Sequence, residues 1–149
     1  MPKLTHLLCL LLAVAPSPPA VNDRPAKSAE ASLEIRFIGI KTPRGAVMLS
    51  LFADEAAHDQ GGEPVLSARV AIEGEEAVAR LSGLAAGHYA VRAFQDVDGD
   101  GEFDTNPFGL PIEPFAFSND AMPQGGPALW EATSFVVGPG ANSITITFR

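Results

Sequence analysis

The chain has little of what most covalent catalysis needs. Its one cysteine, Cys9, sits in an apolar N-terminal run, so the remainder can form no disulfide and do no thiol chemistry. Lys and Arg together number 10 against 18 Asp and Glu, for a net charge of -8. The basic residues stand singly, which excludes the basic stripe a phosphate backbone requires and with it a nucleic-acid partner. Beyond the N-terminal run, the lysines are Lys27 and Lys41, neither in an apolar setting that would make a nucleophilic amine. Gly-x-Ser-x-Gly, His-Glu-x-x-His and a phosphate loop are all missing, and with them the corresponding hydrolase and nucleotide chemistries. No internal repeat or second domain is visible, and 149 residues suit one domain with a real core.

The first twenty residues stand apart. Lys3 gives a weak positive start, Leu7 to Ala15 is apolar, and Ala13-x-Ala15 or Pro18-Pro19-Ala20 offers small residues for cleavage. This pattern predicts a secretory signal peptide over 1–20, too short and too soon followed by proline to span a membrane. Leu8 before Cys9 is not the small residue of a lipoprotein signal, so simple export is expected, with the mature chain periplasmic or extracellular. Residues 21–31 are polar and aperiodic, a flexible leader, and 32–149 form the domain.

What is present is alternation. Leu33, Ile35 and Phe37 alternate with Glu34 and Arg36; Val47, Leu49 and Leu51 do the same, as do Ala77, Ala79 and Leu81, then Tyr89, Val91 and Ala93, and last Ile144, Ile146 and Phe148. A period of two puts each apolar set on one face of a half-buried strand. With strands at 65–72 and 133–137 the total is about seven, separated by turn signals, and Gly138 to Asn142 reads as the link between the last two. The expectation is an all-β fold, a single antiparallel β-sandwich, immunoglobulin-like or prealbumin-like. Asp54 to Gly62 reads as a loop with one helical turn, and His58, four residues after Asp54, as a surface cap or pair. His88 is a lone histidine at a strand start, with a structural role.

The chemistry concentrates in Asp96-Val97-Asp98-Gly99-Asp100-Gly101-Glu102-Phe103-Asp104. Carboxylates fall at places 1, 3, 5 and 9 of a loop bent by Gly101 at place 6, the spacing that lets alternate side chains converge on a calcium ion. Glu102 would add its backbone carbonyl. At place 12, where an EF-hand carries a bidentate Glu, stands Pro107, so the loop lies outside a helix pair and the missing oxygens come from elsewhere, with Asn106 and Glu113 as candidates. The competing reading is a solvated acidic turn. Carboxylates at four ligand places within nine residues gain nothing from a plain turn, whereas one divalent cation converts their repulsion to attraction. The loop opens a segment, 96–130, with no sustained period yet with Phe103, Phe108, Phe115, Phe117 and Trp130. That aromatic content argues for an ordered segment folded back on the sheet.

The blocks Phe94 to Asn106, Gly109-Leu110-Pro111-Ile112-Glu113-Pro114 and Phe117-Ser118-Asn119, preceded by Leu84-x-x-Gly87-x-Tyr89, resemble bacterial exported proteins of domain-of-unknown-function family 2141. The resemblance runs from about Leu33 to Arg149. It implies a small secreted or periplasmic β-sandwich and no particular activity. Members often carry Asn in place of Asp98 and Asp100 and Lys-Leu in place of Glu102-Phe103; the extra carboxylates here favour a cation. The Tyr89 phrase is also similar to transthyretin-like and carboxypeptidase-regulatory-like modules.

Three functions follow as expectations. The first is a calcium-binding structural or binding module of the cell envelope, with calcium ordering the 96–130 loop and an envelope protein, peptide or glycan as partner. The second is an envelope polysaccharide hydrolase using Asp104 and Glu113 as acid and base. The third is a carbohydrate or peptide binder that stacks its ligand on Trp130, Tyr89 or the Phe115 to Phe117 pair, against the alternative that these rings are core.

Overall fold

The computed structural model describes residues 30–149. The expected signal peptide and nearly all of the expected leader lie outside the described residues. The strands are β1 (Ala31–Ile38), β2 (Ala46–Phe52), β3 (Leu66–Glu73), β4 (Glu76–Leu84), β5 (Gly87–Asp96), β6 (Phe115–Phe117), β7 (Phe135–Val137) and β8 (Gly140–Thr147), with short helices α1 (Glu55–Gln60) and α2 (Trp130–Thr133). The fold is all-β, as the alternation predicts. The inward sets of β1, β2, β4 and β5, with Ile146 and Phe148, are all buried and join in one core cluster. Tyr89 closes that core at one end, its hydroxyl donating to the Ala85 carbonyl at 2.9 Å.

The strands form one curled sheet in the order β6-β5-β2-β3-β4-β1-β8, with β7 also paired to β5. β3 and β4 pair only at Ile72–Ala77 and Glu73–Glu76, so the sheet bends at that hairpin and its two halves close over the core. The result is a curled, half-barrel sheet rather than a clear antiparallel sandwich. β1 runs parallel to β8 over Ala31 to Ile38, and the last two strands do not form a hairpin. β7 pairs with Gly87 to Tyr89 of β5, and the chain then crosses to the other half of the sheet. Asn142 organises that crossing: its Oδ1 accepts from Gly138 N at 3.0 Å and its Nδ2 donates to the carbonyls of Gly138, Gly140 and Ser32.

The long segment 96–130 contains β6 and a 3₁₀ turn at Ser118–Asp120, neither of which its aperiodic sequence predicts. Three consecutive side chains fasten that turn. Ser118 Oγ accepts from Val91 N at 2.9 Å and donates to Thr133 O at 2.6 Å. Asn119 Nδ2 donates to Ala132 O and Ser134 O. Asp120 accepts from Thr147 N at 2.7 Å and Thr147 Oγ1 at 3.2 Å, occupying part of the open edge of β8. Asn119 and Asp120 have φ of 59° and 50°, a left-handed conformation that Asn and Asp adopt more readily than other side chains.

Asp54 caps α1, its carboxylate accepting from Ala57 N at 2.9 Å. His58 is not a surface pair with Asp54; it is fully buried, because α1 packs it edge-on between Phe52 and Trp130. His58 Nδ1 bonds Asp59 at 2.6 Å, and its Nε2 accepts from Arg92 Nε at 3.3 Å. Arg92 therefore fixes the neutral tautomer with the proton on Nδ1. Burial holds the His58 pKa below its ordinary value, and the Arg92 charge adds to this, against the opposing pull of Asp59.

Gly45, at φ 70°, lies where an added Cβ would meet the Asp96 carbonyl oxygen at 1.7 Å. Gly45→Ala is expected to cost about 3 kcal/mol or more, from backbone strain plus collision. Gly74→Ala, with similar φ but nothing within 4 Å, should cost only about 1–2 kcal/mol. Urea unfolding of the two variants checks this, and equal costs would refute the close approach. For His58 the lowered folded pKa means that the unfolded chain takes the proton first. Its stabilisation is present above about pH 6.5 and is lost as pH falls below it. Urea midpoints between pH 7 and 5 should fall less steeply in His58→Gln than in the parent chain; parallel profiles would contradict the buried neutral imidazole.

Candidate metal centre

β5 ends at Gln95 and Asp96, and both are buried. Gln95 is a polar residue on the inward face that Val91 and Ala93 define. Its amide donates to Thr42 O at 2.7 Å and Arg44 O at 2.8 Å, and its main-chain N–H to Pro114 O at 2.8 Å. The 42–45 turn, the end of β5 and the return strand are thereby drawn to one point, and the acidic loop rises from it.

Asp96 is 0% exposed. Its Oδ1 accepts from Gly99 N at 2.7 Å, which bends the loop back over the carboxylate. Its Oδ2 is buried without a hydrogen bond, and the nearest cation, the Arg69 guanidinium on β3, stands 3.8 Å away. Successive Asx turns shape the rest: Asp98 Oδ1 accepts from Asp100 N at 3.2 Å and Asp100 Oδ1 from Glu102 N at 2.8 Å. After Asp104 the chain makes a small hairpin, with Thr105 bridging Pro111 and Ile112 N donating to Asp104 O. That return delivers Glu113, a buried carboxylate whose Oε1 accepts from Val97 N at 2.8 Å and Oε2 from Asp104 N at 3.2 Å.

One carboxylate oxygen each from Asp96, Asp98 and Asp100 lie within 4.8 Å of one another, and so do oxygens of Asp98, Asp104 and Glu113. Asp98 is common to both groups, so the five acids form one continuous cluster. The proximity has an electrostatic cost. The Asp104 pKa is raised, by desolvation and then by the charges of Asp100, Asp98 and Asp96. Of the seven residues named from sequence, the structure brings these five together. The Glu102 side chain stands outside both groups, as befits a residue expected to offer its backbone carbonyl rather than its carboxylate. Asn106 is committed to the hairpin tip, its Oδ1 accepting from Phe108 N at 2.9 Å and Leu110 N at 3.0 Å.

The donors are all carboxylate oxygens, which suit a hard cation. As an acid–base pair, Asp104 and Glu113 are poorly arranged, since both Glu113 oxygens are already held by main-chain donors. The rings named from sequence have divided roles. Tyr89 is core. Trp130 packs edge-on to His58 at 5.9 Å, and its main-chain N–H donates to Asp59 Oδ1 at 2.8 Å. Phe115 and Phe117 belong to a ring cluster with Phe94 and Phe103 of the acidic loop, at centroid distances of 5.2–6.0 Å.

Gln95, Gly45 and Arg69 are residues that sequence reasoning missed. A signal existed for Gln95, an amide at an inward position of a strand. For Gly45 and Arg69 there was none, because their role depends on which strand pairs with which.

No helix among the described residues is long and apolar enough to cross a membrane. Comparison with curated proteins and with solved structures gives no match. The model of a family described as an uncharacterized protein conserved in bacteria, DUF2141, matches residues 35–145, and this chain belongs to that family.

Proposed function

We propose that this protein is a calcium-binding β-module of the bacterial cell envelope, periplasmic or extracellular, in which the ion fixes the 96–113 loop as a rigid surface for a structural or binding role. The observation that carries the reading is Asp96: a carboxylate fully out of water whose Oδ2 has no hydrogen bond, and which offers one oxygen to a group that includes Asp98 and Asp100. Burying a carboxylate oxygen without a hydrogen bond is costly, the Arg69 guanidinium at 3.8 Å offsets only part of that, and a cation seated among the acids would offset more. Asp96, Asp98, Asp100, Asp104 and Glu113 would hold the ion. Calcium fits a flexible loop with many carboxylate oxygens better than magnesium, which demands a tight octahedron. Export is supported by the N-terminal pattern, and it would bring the loop into a compartment where calcium is available. The Tyr89–Ala85 bond, a tyrosine corner in form, supports kinship of the curled sheet with immunoglobulin-like and prealbumin-like sandwiches.

Calorimetric titration of the mature chain with calcium should show one saturable site. Asp98→Ala, which removes the acid common to both groups, should abolish the heat, while Glu102→Ala should retain it. At free calcium about 100-fold above Kd, linkage adds about 2.7 kcal/mol, which for a domain of this size raises Tm by roughly 10 °C. No heat, with identical Tm in calcium and chelator, would reduce the loop to an acidic turn.

A further inference from the structure

On the outer side of the β2–β5–β6 half lies an open groove of about 450 Å³ lined by Phe94, Phe103, Phe115 and Phe117, with Arg92 and Phe52 at one end. We propose that this groove binds a small amphipathic anion, its apolar body on the phenylalanine rings and its acidic head on Arg92. The volume falls within the range of small-molecule sites, roughly 300–1,000 Å³. The lining has the composition of such sites, a continuous apolar wall with one cationic group.

The rings are not all packed away as core: Phe117 is buried, Phe94 and Phe115 are half-buried. Phe103 is 42% exposed although it reaches 5.2 Å from Phe94 and 6.0 Å from Phe115, so the acidic loop holds it as a wall over the sheet rather than packing it away. A second hollow of about 520 Å³ shares Phe103, Phe115 and Phe117 and continues past Leu110 and Pro123. It extends the apolar track away from Arg92, which gives the bound molecule its direction, head at Arg92 and tail along the rings.

Arg92 sets the charge of the ligand. It is half-buried, and its pKa is lowered by desolvation, against the nearby Asp59. Its Nε and Nη2 donate to His58, and Phe52 lies 5.5 Å below it. Among the described residues no carboxylate comes within ion-pair distance of it, and Nη1 has no hydrogen bond. A guanidinium partly removed from water beside apolar walls, with a donor to spare, is complementary to a carboxylate or sulfonate. Glu63, the other charged residue of the lining, is exposed, where solvent screens it. Arg92 and Phe94 stand on β5 and Phe115 and Phe117 on β6, outside the acidic loop, so this inference does not require the calcium site.

The test uses 8-anilinonaphthalene-1-sulfonate as probe and N-phenyl-1-naphthylamine as its uncharged counterpart, titrated by fluorescence against folded mature protein in calcium and in chelator. The expected result is one saturable site for the sulfonate. Phe103→Ala, which removes an exposed ring, should weaken it by about tenfold. Arg92→Gln should weaken the sulfonate and leave the uncharged amine unchanged. In the parent protein, amide resonances of β5 and β6 should shift on titration, a readout that does not need the Arg92 variant to be stable. Non-saturable binding, equal affinity for the two probes, an unchanged affinity in Phe103→Ala, or shifts confined to other strands would each overturn the proposal. Sulfonate binding that persists when calorimetry detects no calcium would refute the metal centre alone.

Discussion

A carboxylate wholly removed from water at the end of a central strand is the constraint around which this molecule is arranged. Asp96 closes β5, the strand with the most partners, and its two oxygens are treated differently. One is satisfied by the Gly99 N–H, the other by nothing nearer than a guanidinium 3.8 Å away. Desolvating an ionised group without full compensation is among the larger penalties a fold of this size can carry. The surroundings are consistent with that burden. Gln95 beside it ties down the 42–45 turn, Gly45 gives up its side chain to let the Asp96 carbonyl approach, and Glu113 returns from a hairpin to cap Val97 and Asp104. Replacing one of these would disturb all of them, since they share a volume of a few residues.

The segment between β5 and β7 is held by side chains more than by ladders. Between β5 and β7 the longest strand has three residues, too short to fix a segment of that length by pairing. Ser118, Asn119 and Asp120 do it instead, reaching β5, α2 and β8 between them, and two of them accept a left-handed backbone to reach. β6 and the loop above it are thereby positioned, and the ring cluster with them.

Strand existence was legible because burial on one face imposes a period of two, and the inward residues read from β1, β2, β4, β5 and β8 are the ones that form the core. Direction and partner were not legible. Alternation is the same for a parallel and an antiparallel strand, so nothing in Ile144-Thr145-Ile146 says that it runs alongside Leu33 to Phe37 rather than back along Phe135 to Val137. β6 was hidden because three residues are too few to show a period. At the acidic loop, Asp96, Asp98, Asp100 and Asp104 were legible from spacing, and Glu113 only as a plausible distant acid. Asn106 has the right chemistry for a ligand, but its neighbours' N–H groups claim it first, a local competition that spacing does not reveal. His58 was misplaced because a lone histidine in a polar six-residue helix gives no sign of which face that helix turns inward.

The parallel pairing of β1 with β8 bears on how the chain reaches this structure. β1 is flanked by β4 on one side and by β8 on the other, so among the described residues the first strand is completed by the last. Contacts of such sequence separation slow folding, because the entropy of closing so long a loop is lost before they form. Until residues 140–147 arrive, the buried face of β1 has a bare edge rich in Leu, Ile and Phe, and a fragment ending before β8 exposes that edge permanently. Unpaired edges of this kind are templates for aggregation. Loss of β8 is therefore a sharper threat to solubility than that strand's small share of the sequence suggests.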